Sequence, residues 1–200
     1  EVLGDDRGTT SSLSMYLVDN LNNQKKYEQM EAVARERLEA SIAAQGETAY
    51  PSIRLGYWLG RSLDSQKRYD EAVETLREVV ADDPRLEKAW HQLGIALRNS
   101  RDSVLSAEAF ARAGELGPDD LRYPFLEGLA DFDAERYSRA LGAFDRAYRL
   151  ALSQDDTGQA ASAMLNIGNT WYMLGNKSDA LAAYDVAIEI DPEYEKAIEY

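Results

Sequence analysis

The stretch RLGYWLGR, residues 54–61, brings two arginines and two large aromatic side chains together. On a helix with about 100° between residues, this region has two sides: Gly56, Leu59, Gly60 and Leu63 on one, and Arg54, Tyr57, Trp58 and Arg61 on the other. Guanidinium groups bind carboxylates and aromatic rings bury apolar surface, so the second side has the chemistry of a surface that binds acidic and apolar groups. The alternative is that the aromatic pair fills the core, and both interpretations stay open.

Few residues of the chain point to catalytic or metal chemistry. The sequence has no cysteine, and His91 is the only histidine, with no cluster of ligands near it in the sequence. No GxSxG, HExxH or phosphate-loop pattern occurs, and GNKS at 175–178 lacks the strand and glycine spacing that a phosphate loop needs. We therefore expect no enzyme activity, no metal site and no cofactor.

The charge of the chain limits its partners. Its 36 acidic residues outnumber 22 basic ones, and the formal net charge of −14 repels nucleic acids and anionic lipids. No apolar run is long enough to span a membrane, so direct membrane insertion is not expected. The expected partner is a protein or peptide.

The ends and the location of the chain give further expectations. The sequence starts with Glu1, and its last residues, EYEKAIEY, resemble the beginning of a helix. We expect the native chain to be longer, with any N-terminal signal or anchor upstream of Glu1. Cysteine-free chains occur in oxidising and reducing compartments, so the cytoplasm and the bacterial periplasm both stay open.

The sequence repeats itself with a period of about 34 residues. Gly60, Gly94 and Gly128 are 34 residues apart, and Gly168 follows after 40. Sixteen residues after each glycine comes a large apolar side chain: Leu76, Phe110, Phe144 and Tyr184. Each unit has apolar residues at helical spacing in two stretches joined by a short turn, and no stretch alternates like a strand. The spacing predicts pairs of helices, with the glycines in the seam where two helices approach closely.

This pattern resembles the tetratricopeptide repeat (TPR), a helix-turn-helix unit of about 34 residues with Leu-Gly, Tyr, Ala, an aromatic, Ala and Pro at set places. The resemblance implies an all-α, right-handed α-α superhelix, a TPR-like solenoid of about five units. The expected organisation is a flexible tail at 1–10, a degenerate unit at 11–44, TPR units at 53–86, 87–120 and 121–154, a longer unit at 161–194 after an insertion, and the start of a capping helix or further repeat at 195–200.

The resemblance also implies that the first helix of each unit lines a concave groove. The candidate partner-binding residues on these helices are Arg54, Tyr57, Trp58, Arg61, Lys88, His91, Arg98, Phe125, Asn166, Asn169 and Tyr172. Five basic residues of this surface meet few acids: Arg54, Arg61, Lys88, Arg98 and Arg122. Phe125 has a core position as its alternative, and Asn166 and Asn169 either satisfy local backbone groups or bond the backbone of a bound peptide.

Some TPR proteins hold a C-terminal carboxylate with Lys and Asn side chains, and this chain has Tyr57, Arg61, Gln92, Arg122 and Leu126 at those places. Binding of that kind is therefore disfavoured. The expected function is a non-enzymatic scaffold that binds a partner peptide or helix with acidic and apolar side chains in a basic, aromatic groove. The alternatives are a self-associating structural module, and thus a homo-oligomer, or a regulatory or assembly arm of a larger complex such as an envelope or secretion machine.

Overall fold

A computed structural model describes residues 7–46 and 49–192, with side chains from residue 15 onward. This part of the chain forms ten α-helices and contains no strand. The helices are α1 (Arg7–Asn23), α2 (Tyr27–Gln45), α3 (Tyr50–Ser65), α4 (Tyr69–Asp82), α5 (Glu87–Asn99), α6 (Ser103–Leu116), α7 (Arg122–Asp133), α8 (Tyr137–Ser153), α9 (Thr157–Met173) and α10 (Lys177–Ile190). The all-α class expected from the sequence is confirmed.

The chain divides into two compact units, Glu1–Arg101 and Asp102–Tyr200, which we call unit 1 and unit 2. In unit 1, α3 packs against α2 and α4 and also contacts α1 and α5. In unit 2, each helix from α6 to α10 packs against the next. The central position of α3 leaves only a narrow part of its surface uncovered.

Some segments lie differently from the expected organisation. Helix α1 begins at Arg7, so residues 7–10 of the expected tail are helical, while residues 1–6 and 193–200 lie outside the described residues. Helix α3 begins at Tyr50, three residues before the expected unit, with Pro51 in its first turn. Proline suits a helix start because its missing N–H has no partner there anyway. The division into repeat units stays a prediction.

The turns inside the helix pairs share one backbone feature. Lys25, Lys67, Arg101 and Glu135 have φ between 56° and 67°, and Gly175 has φ 79°. A residue in this left-handed region after the last turn of a helix lets the chain reverse while its N–H groups bond the final carbonyls. These residues are 42, 34, 34 and 40 positions apart, so the turn geometry follows the spacing of the glycines.

The repeated glycines make close contacts between the helices of a pair. A Cβ atom added to Gly60 would lie 2.5 Å from Leu76 Cγ, and one added to Gly128 would lie 2.6 Å from the Phe144 ring. Gly168 lies as tightly against Tyr184. These separations are shorter than carbon atoms tolerate, so only glycine allows the helices to approach this closely. The expected packing seam is confirmed at these positions.

A buried ion pair fixes the α7–α8 turn of unit 2. The side chain of Asp131 is 1% exposed, and its Oδ1 accepts a hydrogen bond from Arg136 Nε at 2.7 Å and forms an ion pair with Arg136 Nη2 at 2.5 Å. Arg136 also donates to the backbone oxygen of Val104 on α6 at 3.3 Å. The other carboxylate oxygen of Asp131, Oδ2, has no partner. Such a pair is costly to break because either charge alone would remain poorly solvated.

Candidate functional site

The uncovered part of α3 carries a strip of aromatic and basic side chains, Tyr50, Arg54, Tyr57 and Arg61, which we call the α3 strip. Tyr50 is exposed, and the other three side chains are half-buried. The guanidinium of Arg54 lies over the Tyr50 ring at 5.6 Å and donates to its hydroxyl at 3.4 Å. The guanidinium of Arg61 lies over the Trp58 ring at 5.4 Å. Each arginine is thus supported by an aromatic ring of its own helix.

Trp58 does not face the surface as the helical wheel predicts, since it is only 8% exposed. The wheel treats half of the helix as open, but α3 has neighbours on several sides and its open strip is narrower. Trp58 lies about 40° around the helix from Arg54, at the edge of that strip. Its ring packs edge-on against Tyr57, with the centroids 5.2 Å apart, and underlies Arg61. Trp58 therefore positions Arg61 and Tyr57 instead of offering an apolar anchor itself.

Helix α5 places three more candidate residues in unit 1. Lys88 is exposed, while His91 and Arg98 are half-buried. Lys88 stands 34 residues after Arg54 and occupies the same place in its repeat. Helix α5 contacts α3 within unit 1, so Lys88 lies on a neighbouring helix of the α3 strip.

An acidic residue joins α3 to α5. Asp64 follows Arg61 by three residues and accepts hydrogen bonds from Gln92 Nε2 at 3.1 Å and from Asn99 Nδ2 at 2.8 Å. Burial raises the pKa of the Asp64 carboxyl, and these two hydrogen bonds lower it by less, so its pKa is above the usual value. The surface is therefore basic along the α3 strip but carries a carboxylate at one end.

Unit 2 holds the remaining candidates on α7 and α9. Phe125 is half-buried and packs edge-on against Phe144, with ring centroids 5.7 Å apart, which favours its core interpretation. Asn166 donates from Nδ2 to the backbone oxygen of Ser162, one turn earlier, at 2.8 Å, so this amide serves its own helix.

Asn169 and Tyr172 are the more open pair of unit 2. Both side chains are exposed, Tyr172 to 49%. Asn169 Oδ1 accepts from the Tyr184 hydroxyl at 2.8 Å, which holds the amide in place. Its Nδ2 donors have no protein partner within residues 7–46 and 49–192, so they are available to a bound peptide.

A second surface feature of unit 2 is a cavity of about 710 Å³ where α6, α7 and α8 meet. Its charged lining is already paired: Arg146 with Glu127 at 2.8 Å, Arg149 with Asp145 at 2.9 Å, and Arg112 with Glu115. Paired charges attract a charged ligand less than unpaired ones, so we do not place the binding site there.

The described residues include no group of three His, Asp or Glu side chains arranged to hold a metal ion. Within the same part of the chain, no helix has the length and apolar character needed to cross a membrane.

Comparison with known proteins decides the family. Tetratricopeptide repeat models match residues 125–195 and residues 55–85. The chain is a tetratricopeptide repeat protein. This confirms the resemblance found in the sequence, and TPR domains are in general protein-interaction scaffolds without catalytic activity. No curated protein sequence shows significant similarity to the chain.

Solved structures confirm the TPR-like solenoid class. A crystal structure of MamA protein superposes with a TM-score of 0.77 at 17% identity, covering 96% of this chain and 98% of that one. MamA 41-end from Desulfovibrio magneticus RS-1 superposes with a TM-score of 0.73 at 17% identity, with both chains covered fully. The chain is also similar to a putative kinesin light chain from Podospora anserina with nearly identical TPR-like repeats. The TM-score is 0.74 at 11% identity, and the superposition covers 92% of this chain and 96% of that one. At these identities the likeness concerns the fold.

The TPR surface is less uniformly basic than the sequence predicts. Arg122, one of the five basic residues expected to meet few acids, donates from Nε to Asp120 at 2.8 Å and forms an ion pair with it. The two residues stand only two positions apart at the start of α7, a pairing that the helical wheel overlooks because Asp120 precedes the helix. Arg122 therefore contributes little positive charge to the surface.

Tyr50 and Asp64 belong to the candidate surface of this TPR protein, and sequence reasoning missed both. Tyr50 lies between the expected units at 11–44 and 53–86, although Pro51 signals a helix start at that point. Asp64 lies three residues after Arg61 and thus on the same side of a helix. Both signals were present in the sequence.

Acidic side chains on α2 and α4 form a network with arginines. Glu31 on α2 accepts a hydrogen bond from Arg35 Nε on the same helix at 2.8 Å. It also accepts from Gln66 Nε2 and Arg68 Nη1, in the turn between α3 and α4, both at 2.8 Å. Arg68 also pairs with Glu71 at 2.6 Å. Burial alone would raise the pKa of the Glu31 carboxyl, but the hydrogen bonds from Arg35, Gln66 and Arg68 outweigh it and hold that pKa below its usual value.

We expect Glu31→Gln to lower the free energy of unfolding by about 1 kcal/mol at neutral pH, because a charged acceptor of hydrogen bonds from three side chains is lost. The pKa of Glu31 is lowered on folding, so its contribution is complete above the pKa of the unfolded chain and disappears as the pH falls through the folded value. Urea unfolding across acid to neutral pH measures this. The exposed Glu36 is the control, and an equal loss in Glu36→Gln, or a pH-independent loss in Glu31→Gln, contradicts the assignment.

Proposed function

We propose that this TPR protein is a non-enzymatic scaffold whose unit 1 binds a partner segment, extended or helical, with acidic and apolar side chains. The supporting observation is that Arg54 and Arg61 stand on one strip, each lying over an aromatic ring. Neither has a carboxylate partner within the described residues, whereas Arg68, Arg136 and Arg146 all do. A stacked, unpaired guanidinium can meet a carboxylate with little loss of side-chain freedom.

Tyr57 and Lys88 complete the surface in this proposal. Tyr57 supplies an apolar face between the two arginines, and Lys88 supplies a further charge from α5. In unit 2, Asn169 and Tyr172 are proposed as a second contact set, with the Asn169 amide donating to a peptide carbonyl.

The test is capture of partners from cell extract by the wild-type chain and by Arg54→Glu/Arg61→Glu. We expect the double variant to lose at least about tenfold in binding, because two attractive contacts become repulsive. The matched control is Arg77→Glu/Arg85→Glu, which changes the net charge equally at two exposed arginines of α4 and the following turn. If both double variants retain the same partners equally well, the α3 strip is not the binding surface.

Self-association is a second candidate, favoured by exposed apolar side chains of the last helix pair. Tyr172, Met173, Leu174 and Leu181 are 44–59% exposed. Leu181 holds the repeat position of Val73, which is 6% exposed in unit 1. Sedimentation of the chain alone over a concentration series separates the two candidates, since a scaffold for a different protein stays monomeric.

A further inference from the structure

The two arginines of the α3 strip have a defined spacing. They are seven residues apart, which is about two helical turns, or about 10.5 Å along the axis. Their angular offset is only about 20°, so both point to the same side of α3. Two positive groups fixed in this way favour a ligand with two negative groups at a matching distance.

The aromatic supports fix how each guanidinium can be used. The ring below takes one face of the guanidinium, while its N–H donors lie around the edge and remain directed outward. Trp58 is buried, so the support under Arg61 is held firmly by the core of unit 1. The ring under Arg54 belongs to the exposed Tyr50, whose hydroxyl also accepts a hydrogen bond from the Arg54 guanidinium. The N–H groups along the edge of a guanidinium can donate two parallel hydrogen bonds, one to each oxygen of a carboxylate.

Tyr57 lies between the two arginines in sequence and on the same strip. It is half-buried, and its ring is held edge-on against Trp58 at 5.2 Å. A fixed aromatic face between two charge sites suits proline rings, because polyproline II segments dock against aromatic side chains. One turn of polyproline II is three residues and about 9 Å long, close to the spacing of the arginines.

We infer that the α3 strip binds an acidic, proline-rich segment in the polyproline II conformation, with two glutamates one turn apart. This inference rests on the proposed function of unit 1. One glutamate bonds Arg54, the other bonds Arg61, and the prolines between them pack on Tyr57. A fully extended strand does not fit, since residues three apart in a strand point to opposite faces.

The surrounding charge favours carboxylates over phosphates. Asp64 ends the strip three residues after Arg61, and the whole chain carries a net charge of −14. A doubly charged phosphate next to Asp64 is repelled more strongly than a singly charged carboxylate. The segment is therefore assigned as glutamate-containing and not phosphorylated.

The test is a nuclear magnetic resonance titration of the whole chain with two blocked peptides of equal composition, Glu-Pro-Pro-Glu and Glu-Glu-Pro-Pro. We expect the first to bind about fivefold more tightly, because only it reaches both arginines at once. Its shifts should centre on the Arg54, Tyr57 and Arg61 signals. Arg54→Gln or Arg61→Gln should remove the preference between the peptides, while Arg77→Gln should keep it.

Three outcomes would overturn the inference. If both peptides bind equally and neither binds Arg54→Gln/Arg61→Gln, the proposed spacing of the two glutamates is wrong. The proposed function, a surface that binds acidic groups, is then still supported. Tighter binding of a peptide with phosphoserine in place of both glutamates rejects the carboxylate assignment. If neither peptide shifts any signal of the α3 strip at millimolar concentration, the polyproline II ligand is wrong, and the capture experiment alone decides the proposed function.

Discussion

The Arg136→Met variant is expected to unfold with a free energy about 3–5 kcal/mol below that of wild type, the largest effect of any single substitution considered. The substitution leaves the buried Asp131 carboxylate without its partner, and one of its oxygens already has none. Removing Arg136 also takes away the hydrogen bond to the Val104 carbonyl of α6. Urea unfolding followed by circular dichroism measures the loss.

A rescue variant distinguishes the buried charge from the lost side-chain packing. Leu63 and Leu97 hold the repeat position of Asp131 in the preceding units, and both are buried, at 1% and 3% exposure. Asp131→Leu/Arg136→Met removes both charges and places at residue 131 the leucine that the preceding units have there, so we expect it to recover most of the lost stability. If the double variant is as unstable as Arg136→Met, the uncompensated carboxylate is not the cause.

Gly128→Ala is expected to destabilise the protein by roughly 1–3 kcal/mol, although alanine is the better helix former. The added methyl group would lie 2.6 Å from two carbons of the Phe144 ring, which is itself fully buried and cannot swing aside. The helices α7 and α8 would have to separate. Thermal and urea unfolding of the variant measure this effect.

Gly142→Ala is the matched control for this seam. Gly142 lies in α8, and the nearest atom to its added methyl would be Arg146 Nη1 at 3.9 Å. With space available, only the helix propensity changes, so we expect a gain of about 0.5–1 kcal/mol. Opposite signs for the two glycines support the close-packed seam, whereas stabilisation by both would show that α7 and α8 tolerate a wider spacing.

The repeat and its seam were predictable because they depend on residues whose roles are local and periodic. The glycines and the large apolar residues sixteen positions later gave the pairing of Gly60 with Leu76 and of Gly128 with Phe144. The left-handed turn residues Lys67 and Glu135 follow the same 34-residue repeat. Neither is a glycine, so residue type alone does not predict their positive φ.

The candidate site was predicted less well because it depends on which sides of a helix its neighbours cover. A helical wheel placed Trp58 with Arg61, but contacts of α3 with four other helices bury the tryptophan. The wheel also omits residues just before a helix, so it missed the partner that Asp120 gives Arg122. Arg54 and Arg61 were identified correctly as neighbours on one side, because they are seven residues apart and need no knowledge of packing.

The most direct measurement is the affinity of a captured partner, once purified, for the wild-type chain, Arg61→Glu and Arg77→Glu, by isothermal titration calorimetry. If unit 1 binds acidic segments on the α3 strip, Arg61→Glu weakens binding by at least about tenfold, while Arg77→Glu matches wild type. Added salt then lowers the affinity of Arg61→Glu less than that of wild type, because one attractive charge contact has been lost. Equal affinities for all three proteins would contradict the account.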